Sequence, residues 1–317
     1  MDAPREPARG PALELALELL LDSGNHLGEC PLWCERGQCL YWTDIEASRL
    51  HAYVPATGAR REWTMPERLA CFAFTGDAEV LLLGLASRLA FFNLRSGALT
   101  PLYAVEAALP MTRVNDGRCD RQGRFVFGTL DERPVRDAIG GFYRLNHDLG
   151  VERLPLPPVA ISNSICFSPD GASMYFCDSM KKFIYRWDGY ASGDSDPATI
   201  RVFADLGDGA GAADGACVDA DGHLWSAQWG AARVLRYAPD GVIERILPLP
   251  VSQPSCVCLG GAGMNELFVT TAREALTPAM LAEQPLAGGL FHATLPGLRG
   301  LPEARFRHTS PTQEPSC

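Results

Sequence analysis

The chain has 317 residues, 47% of them apolar and 21% charged, with a net charge of −10 from 28 Lys and Arg against 38 Asp and Glu. That is a globular composition with enough length for a well-buried core, not a disordered one. No basic cluster stands out, no apolar run reaches the ~18–20 residues of a membrane helix, and MDAPREPARG lacks the apolar stretch of a secretory leader, so nucleic acid and membranes are not expected partners and the cytoplasm is the expected compartment.

The eleven cysteines are odd in number, scattered and without a CxxC pair. They read as reduced thiols packed as small apolar residues, and the Cys256/Cys258 pair needs only the alternation of a strand. The 31 Gly and 24 Pro are spread along the chain, which argues for tight turns at regular intervals.

In chain order, residues 1–12 are expected to be a disordered tail. LELALELLL (13–21) has a helix-forming composition, but it alternates over 13–19 and is expected to be a strand that closes the last sheet. Six segments then share one grammar. First strands fall at 30–33, 71–74, 117–120, 164–167, 215–219 and 256–259, each followed by a turn such as SPDG (168–171) or DADG (219–222). Second strands follow at 40–44, 80–85, 125–129, 174–178, 224–229 and 267–271. Third strands lie at 50–53, 89–92, 141–145, 183–187, 234–237 and 290–294, with Gly turns leading into a fourth. EALTPAMLAEQPL (274–286) has helix-like spacing, and 308–317 are expected to be a second disordered tail.

Short strands joined by Gly turns are antiparallel hairpins. Four per unit at a period of roughly 40–50 residues is the pattern of a propeller blade. The predicted fold is therefore all-β, a six-bladed β-propeller of four-stranded antiparallel blades over 13–307. A large β-sandwich is the competing arrangement.

In a propeller the first strand of each blade lines the axis. The residues just before those strands are Glu29, Ala70, Asn115, Asn163, Asp214 and Ser255. Ring geometry brings them to one end, where the long loops 129–140 and 272–289 also emerge. Glu, Asn and Asp oxygens suit a hard divalent cation with positions open for water and substrate. Turn capping or a wet channel is the plainer account of such residues. Arg113 alternates onto the face of Asn115, where it is a candidate for a polyhydroxyl or anionic ligand. Asp44 and Asp178 end equivalent second strands and suggest strand-end roles. The histidines lack metal-ligand spacing, and there is no GxSxG elbow, dinucleotide loop or P-loop.

LGECPLW (27–33), RVNDGRCDRQGRFVFGT (113–129), ISNSICFSPDG (161–171), DGACVDADGHLW (214–225) and TTARE (270–274) together resemble the gluconolactonase/regucalcin family of sugar lactonases. The likeness runs from about residue 15 to 307, and the motif spacing is similar to that of bacterial pentonolactonases. The resemblance implies a six-bladed propeller that hydrolyses a sugar lactone, such as gluconolactone or arabinonolactone, with one divalent ion (Ca, Zn, Mg or Mn). It implies Glu29, Asn163 and Asp214 as metal ligands, Asp214 as the acid/base group, and Arg113 and Asn115 as substrate contacts. Where the family has a substrate-contacting Glu, this chain has Arg133, and the neighbouring Glu132 is the expected substitute. A non-catalytic calcium-binding scaffold and a paraoxonase-like hydrolase are the alternatives, and the oligomeric state is monomer or dimer.

Overall fold

Each repeat becomes one blade of a ring. The computed structural model describes residues 16–193, 196–209 and 211–309. The tails expected at 1–12 and 308–317 lie outside those residues, apart from His308 and Thr309.

The chain begins with β1 (Glu18–Leu21). Blade one is β2 (Gly28–Cys34), β3 (Cys39–Asp44), β4 (Arg49–Val54) and β5 (Ala59–Thr64). Blade two is β6 (Leu69–Phe74), β7 (Val80–Leu85), β8 (Arg88–Asn93) and β9 (Leu99–Ala104). Blade three is β10 (Thr112–Cys119), β11 (Phe125–Asp131), β12 (Phe142–Leu145) and β13 (Val151–Arg153). Blade four is β14 (Ser162–Phe167), β15 (Met174–Asp178), β16 (Phe183–Trp187) and β17 (Ile200–Asp205). Blade five is β18 (Ala212–Val218), β19 (Leu224–Trp229), β20 (Arg233–Tyr237) and β21 (Ile243–Pro248). Blade six combines β22 (Pro254–Gly260), β23 (Glu266–Thr271) and β24 (Leu290–Thr294) with β1 as its outermost strand. The six antiparallel sheets form the predicted six-bladed β-propeller, and the alternating segment near the N-terminus closes the ring by pairing Glu18 with His292 and Leu19 with Phe291.

The helix-like spacing at 274–286 yields only α1 (Pro278–Glu283). Thr277 caps it by accepting from the Met280 N–H, Pro278 starts it with a preset φ, and Pro285 lies just past its end. Among the described residues no helix is long and apolar enough to cross a membrane.

The inner strands differ from the sequence expectation in one informative way. All six carry a β-bulge, between Glu29 and Leu32, Leu69 and Cys71, Val114 and Gly117, Asn163 and Cys166, Ala213 and Ala216, and Pro254 and Cys256. The polar positions expected just before the strands lie inside them, at or beside the bulge, and blade three's inner strand starts at Thr112. A bulge breaks strict alternation and re-aims side chains, so an apolar run finds only the strand beyond it. Cys30 and Ser164 take left-handed φ values of 46° and 59° there.

Blades are sealed to each other by buried rings and by axial hydrogen bonds. Trp33 of blade one stacks on Phe268 of blade six with centroids 5.6 Å apart. Fully buried Trp225, Phe72 and Phe268 each remove about 1.5–3 kcal/mol worth of apolar surface from water. Nearer the axis, the Ser164 hydroxyl donates to the Asp214 carbonyl at 2.5 Å, and the Ser255 hydroxyl donates to the Gly28 carbonyl. Gly215 is required by this closeness, since a Cβ there would sit 2.2 Å from Cys256 Sγ.

At the opposite end, residues 302–309 form a strap. Arg118 pairs with Glu303 at 3.4 Å, the Phe306 N–H donates to Phe74 O at 2.8 Å, and the Thr309 N–H donates to His147 O at 2.9 Å. One end of the axis is thus covered, and the other carries the bulges.

Candidate active site

A pocket of about 330 Å³ opens at the bulged end. Five of the six residues expected from sequence line it: Glu29 from β2, Arg113 and Asn115 from β10, Asn163 from β14 and Asp214 from β18.

Asp214 and Asn163 are buried, and Glu29 is partly so. Glu29 accepts from the Cys30 N–H at 2.9 Å, and the Gly215 N–H bonds Asp214. Burial, joined by the nearby Asp116 carboxylate, pushes the Glu29 carboxyl up to about 8. Burial also raises Asp214 well above the usual carboxylate range, reinforced by Glu29, Asp116 and Glu274. The cation beside them does not neutralise the pair. Arg113 is buried and spends Nη1 on Val114 O (2.9 Å) and Asn115 Oδ1 (2.8 Å).

The amide ligand candidate is held in one orientation. Asn163 Nδ2 donates to the Ser179 hydroxyl at 2.9 Å, and that hydroxyl donates to Ala213 O at 2.8 Å. Asn163 therefore keeps its nitrogen on Ser179, while its Oδ1 accepts from Asn115 Nδ2 at 3.2 Å with a lone pair to spare. Asn115 bridges the cation and the donor set, since its Oδ1 accepts from Arg113 and its Nδ2 donates to Asn163, and that Nδ2 is anchored on Ser162 O at 2.9 Å.

Two mutually repelling carboxylates and a fixed amide oxygen, with no ion-pair partner for either acid among the described residues, are a donor set that fits a hard divalent cation. Among the described residues no three His, Cys, Asp or Glu side chains cluster as ligands, and the Asn163 amide is the oxygen that Glu29 and Asp214 have beside them in the pocket.

Glu132 does not line the pocket. Its carboxylate lies 2.6 Å from Arg68 Nη1 and 3.6 Å from Arg113 Nε, and Arg68 also faces Glu46 at 3.4 Å. Arg133 is also turned away, gripping Asp131 (2.7 Å) and Asp137 (2.9 Å). Asp44 and Asp178 have the strand-end roles expected of them. Asp44 accepts from the N–H groups of His26 (2.8 Å) and Leu27 (3.1 Å), Asp178 from Ala160 (3.1 Å) and Ile161 (3.2 Å), so each fixes the entry to its own blade's inner strand.

Sequence reasoning missed Asp116, Arg136, Ser179, Trp229 and Glu274. Asp116 does not line the pocket and is bonded to the N–H groups of Gly117 and Ile165 at 2.8 Å each. It is surrounded by thiols that burial holds protonated, among them Cys30, Cys71 and Cys256. The other four line the pocket itself.

A closed six-bladed propeller with an oxygen-donor centre at one end of its axis is the class these features define. Residues 27–273 match the SMP-30/Gluconolactonase/LRE-like region, and the chain belongs to that family. It is similar to the L-arabinolactonase of Azospirillum brasilense, with 53% identity over 92% of this chain and 95% of that protein. The 6-deoxy-6-sulfogluconolactonase of Pseudomonas putida is 35% identical over 92% and 98% of the two chains. A solved structure of a calcium-binding protein, regucalcin, from Agrobacterium tumefaciens superimposes with a TM-score of 0.86 at 29% identity, covering 92% of this chain and 98% of that one.

Proposed function

We propose that this protein is a sugar lactonase, a carboxylic ester hydrolase that opens an aldonolactone to its acid, and that it does so with one divalent metal ion at Glu29, Asn163 and Asp214. The observation that carries this is the uncompensated Glu29–Asn163–Asp214 donor set beside Arg113, in a chain 53% identical to an L-arabinolactonase. That relative makes a pentonolactone the favoured substrate class, with gluconolactone the second.

A cation bound to these oxygens supplies Lewis acidity at the ester carbonyl. The chain's own residues do the rest. Asp214 orients the attacking water and takes its proton, then returns it to the alkoxide released on ring opening. Arg113 has Nη2 free of protein hydrogen bonds among the described residues and offers it to the substrate's ring or hydroxyl oxygens. Asn115 and Ser179 hold Asn163 in register, and Glu132, itself paired with Arg68, faces the Arg113 guanidinium. Leu27, Ile45, Leu130 and Ile161 give the pocket apolar walls that limit water. Nine of the ten described thiols are buried, which fits a reducing cytoplasm.

The test is acid release by pH-stat from L-arabinono-1,4-lactone and D-glucono-1,5-lactone. The protein is stripped with EDTA and repleted with Ca²⁺, Mg²⁺, Mn²⁺ or Zn²⁺. Activity is expected to vanish on stripping and return with at least one ion. No metal-dependent release on either lactone would overturn the reading.

A further inference from the structure

Two oppositely charged side chains line the pocket without a role in the scheme above, Arg136 and Glu274. They arrive on the loops that follow β11 and β23.

Both are presented by a fixed backbone. The 131–137 loop winds around the buried Asp131 carboxylate, which accepts from the Asp137 N–H at 2.8 Å and is clasped by Arg133. Arg136 Nη1 donates to Asp131 O at 2.7 Å, leaving its other N–H groups without a hydrogen bond among the described residues. On the facing loop, the N–H groups of Arg273 and Glu274 both donate to His26 O at 2.9 Å, and Arg273 Nε donates to Ala287 O at 2.8 Å. The Glu274 carboxylate has no hydrogen bond and no ion pair among the described residues, although it is partly buried. The charges around it come from every side: Glu46, Arg113, His26, Arg136 and Asp214. Burial and Glu46 raise its carboxyl, and Arg113 opposes them. An acid and a base held apart in one pocket, each with unused hydrogen-bonding capacity, incur a desolvation cost that only a ligand rich in donors and acceptors recovers.

We propose that Arg136 and Glu274 form a second polar wall that reads the hydroxyl groups of a polyhydroxylated lactone whose ester lies at Glu29, Asn163 and Asp214, and so set the preference for sugar lactones over bare ones. This rests on the lactonase reading. Arg136 donates to a hydroxyl oxygen, and Glu274 accepts from a hydroxyl. A lactone without those hydroxyls leaves both groups unpaired, and buried polar groups left unpaired discriminate more strongly than apolar contacts do.

The experiment compares wild type, Glu274→Gln, Glu274→Ala and Arg136→Met on L-arabinono-1,4-lactone and on γ-butyrolactone, the same ring without hydroxyls. Where γ-butyrolactone turns over too slowly, its inhibition constant against the sugar lactone gives the same comparison. Calorimetric titration of the stripped proteins with Ca²⁺ reads the metal centre separately. The expected result is a 10- to 100-fold loss of kcat/KM on the sugar lactone, mostly in KM. The loss on γ-butyrolactone should be at least tenfold smaller, with Ca²⁺ affinity within threefold of wild type. An unchanged preference ratio in all three variants overturns the proposal and leaves the lactonase assignment standing. Parallel losses on both lactones with weakened Ca²⁺ binding also overturn it, placing the residues with the metal centre. If wild type opens neither lactone with any ion, the function itself fails and this inference with it.

Discussion

Buried acids occur in two regions of this ring, and the protein treats them in opposite ways. At the hairpin turns of the far end, Asp219 accepts from the N–H groups of Asp221 (3.1 Å) and His223 (2.9 Å), from Trp225 Nε1 (3.0 Å) and from Arg236 at 2.6 Å. Asp120 is satisfied in the same manner by Gln122, Arg124 and Tyr190. At the bulged end, Glu29 and Asp214 each have a backbone donor and face other acids. The first set are framework, and the second are left with charge to give to something else. Burial alone therefore does not single out a candidate functional acid; burial without a countercharge does.

The sharpest way to break this contrast is to remove one acid from each region. Asp219→Ala leaves the buried Arg236 with Glu244 as its remaining acid, unpairs the buried Trp225 Nε1, and is expected to cost about 3–5 kcal/mol, roughly 10 °C in melting temperature, with activity per folded molecule retained. Scanning calorimetry and an active-site-normalised assay check both halves. Asp214→Asn should do the reverse, lowering lactone turnover about 10²–10³-fold, or roughly 3–4 kcal/mol of barrier, while the metal-free variant melts no lower than wild type. A large melting loss would place Asp214 with the framework acids.

A pH series on stripped wild type sharpens the point at smaller amplitude. Glu29 rises from an ordinary 4.5 to about 8 in the folded chain, and Asp214 is raised too. The folded state then holds protons that the unfolded chain has released, so stability should be greatest near pH 4.5–5 and fall steadily towards pH 8. Saturating Ca²⁺ should flatten that slope. A stability that climbs over this window would contradict the uncompensated pair. The smallest effect is expected from Ser179→Ala, which frees the Asn163 amide to rotate. Ca²⁺ affinity by calorimetry should fall about tenfold with the melting temperature nearly unchanged.

The repeat made much of this legible. Because every blade repeats one grammar, Glu29, Asn115, Asn163 and Asp214 could be aligned with each other before any family likeness was considered. Arg113 was reachable by alternation, since the bulge of β10 begins only after Val114. Asp116 was not, because that bulge puts it and Asn115 to use on successive residues, against a strict period of two. Arg136 and Glu274 lie in the long loops beyond the second strands of blades three and six, which differ from blade to blade, and Ser179 follows Asp178 where the equivalent residue of blade one is the apolar Ile45. Repeat comparison is silent there, and only tertiary placement shows which loop residue reaches the pocket. Glu132, expected as a substrate contact, lies outside the pocket lining, where Arg68, from a different blade, pairs with its carboxylate.

The clasp between β1 and β24 also bears on the order of synthesis. Five blades are runs of local hairpins and can form as they leave the ribosome. The sixth needs residues 18–21, made before the other five blades, to wait for residues 290–294, made after them. Glu29, Asn163 and Asp214 come from blades one, four and five, so they meet only when the circle closes. A nascent or truncated chain therefore has most of its strands and none of its pocket, and competence appears in a single late step.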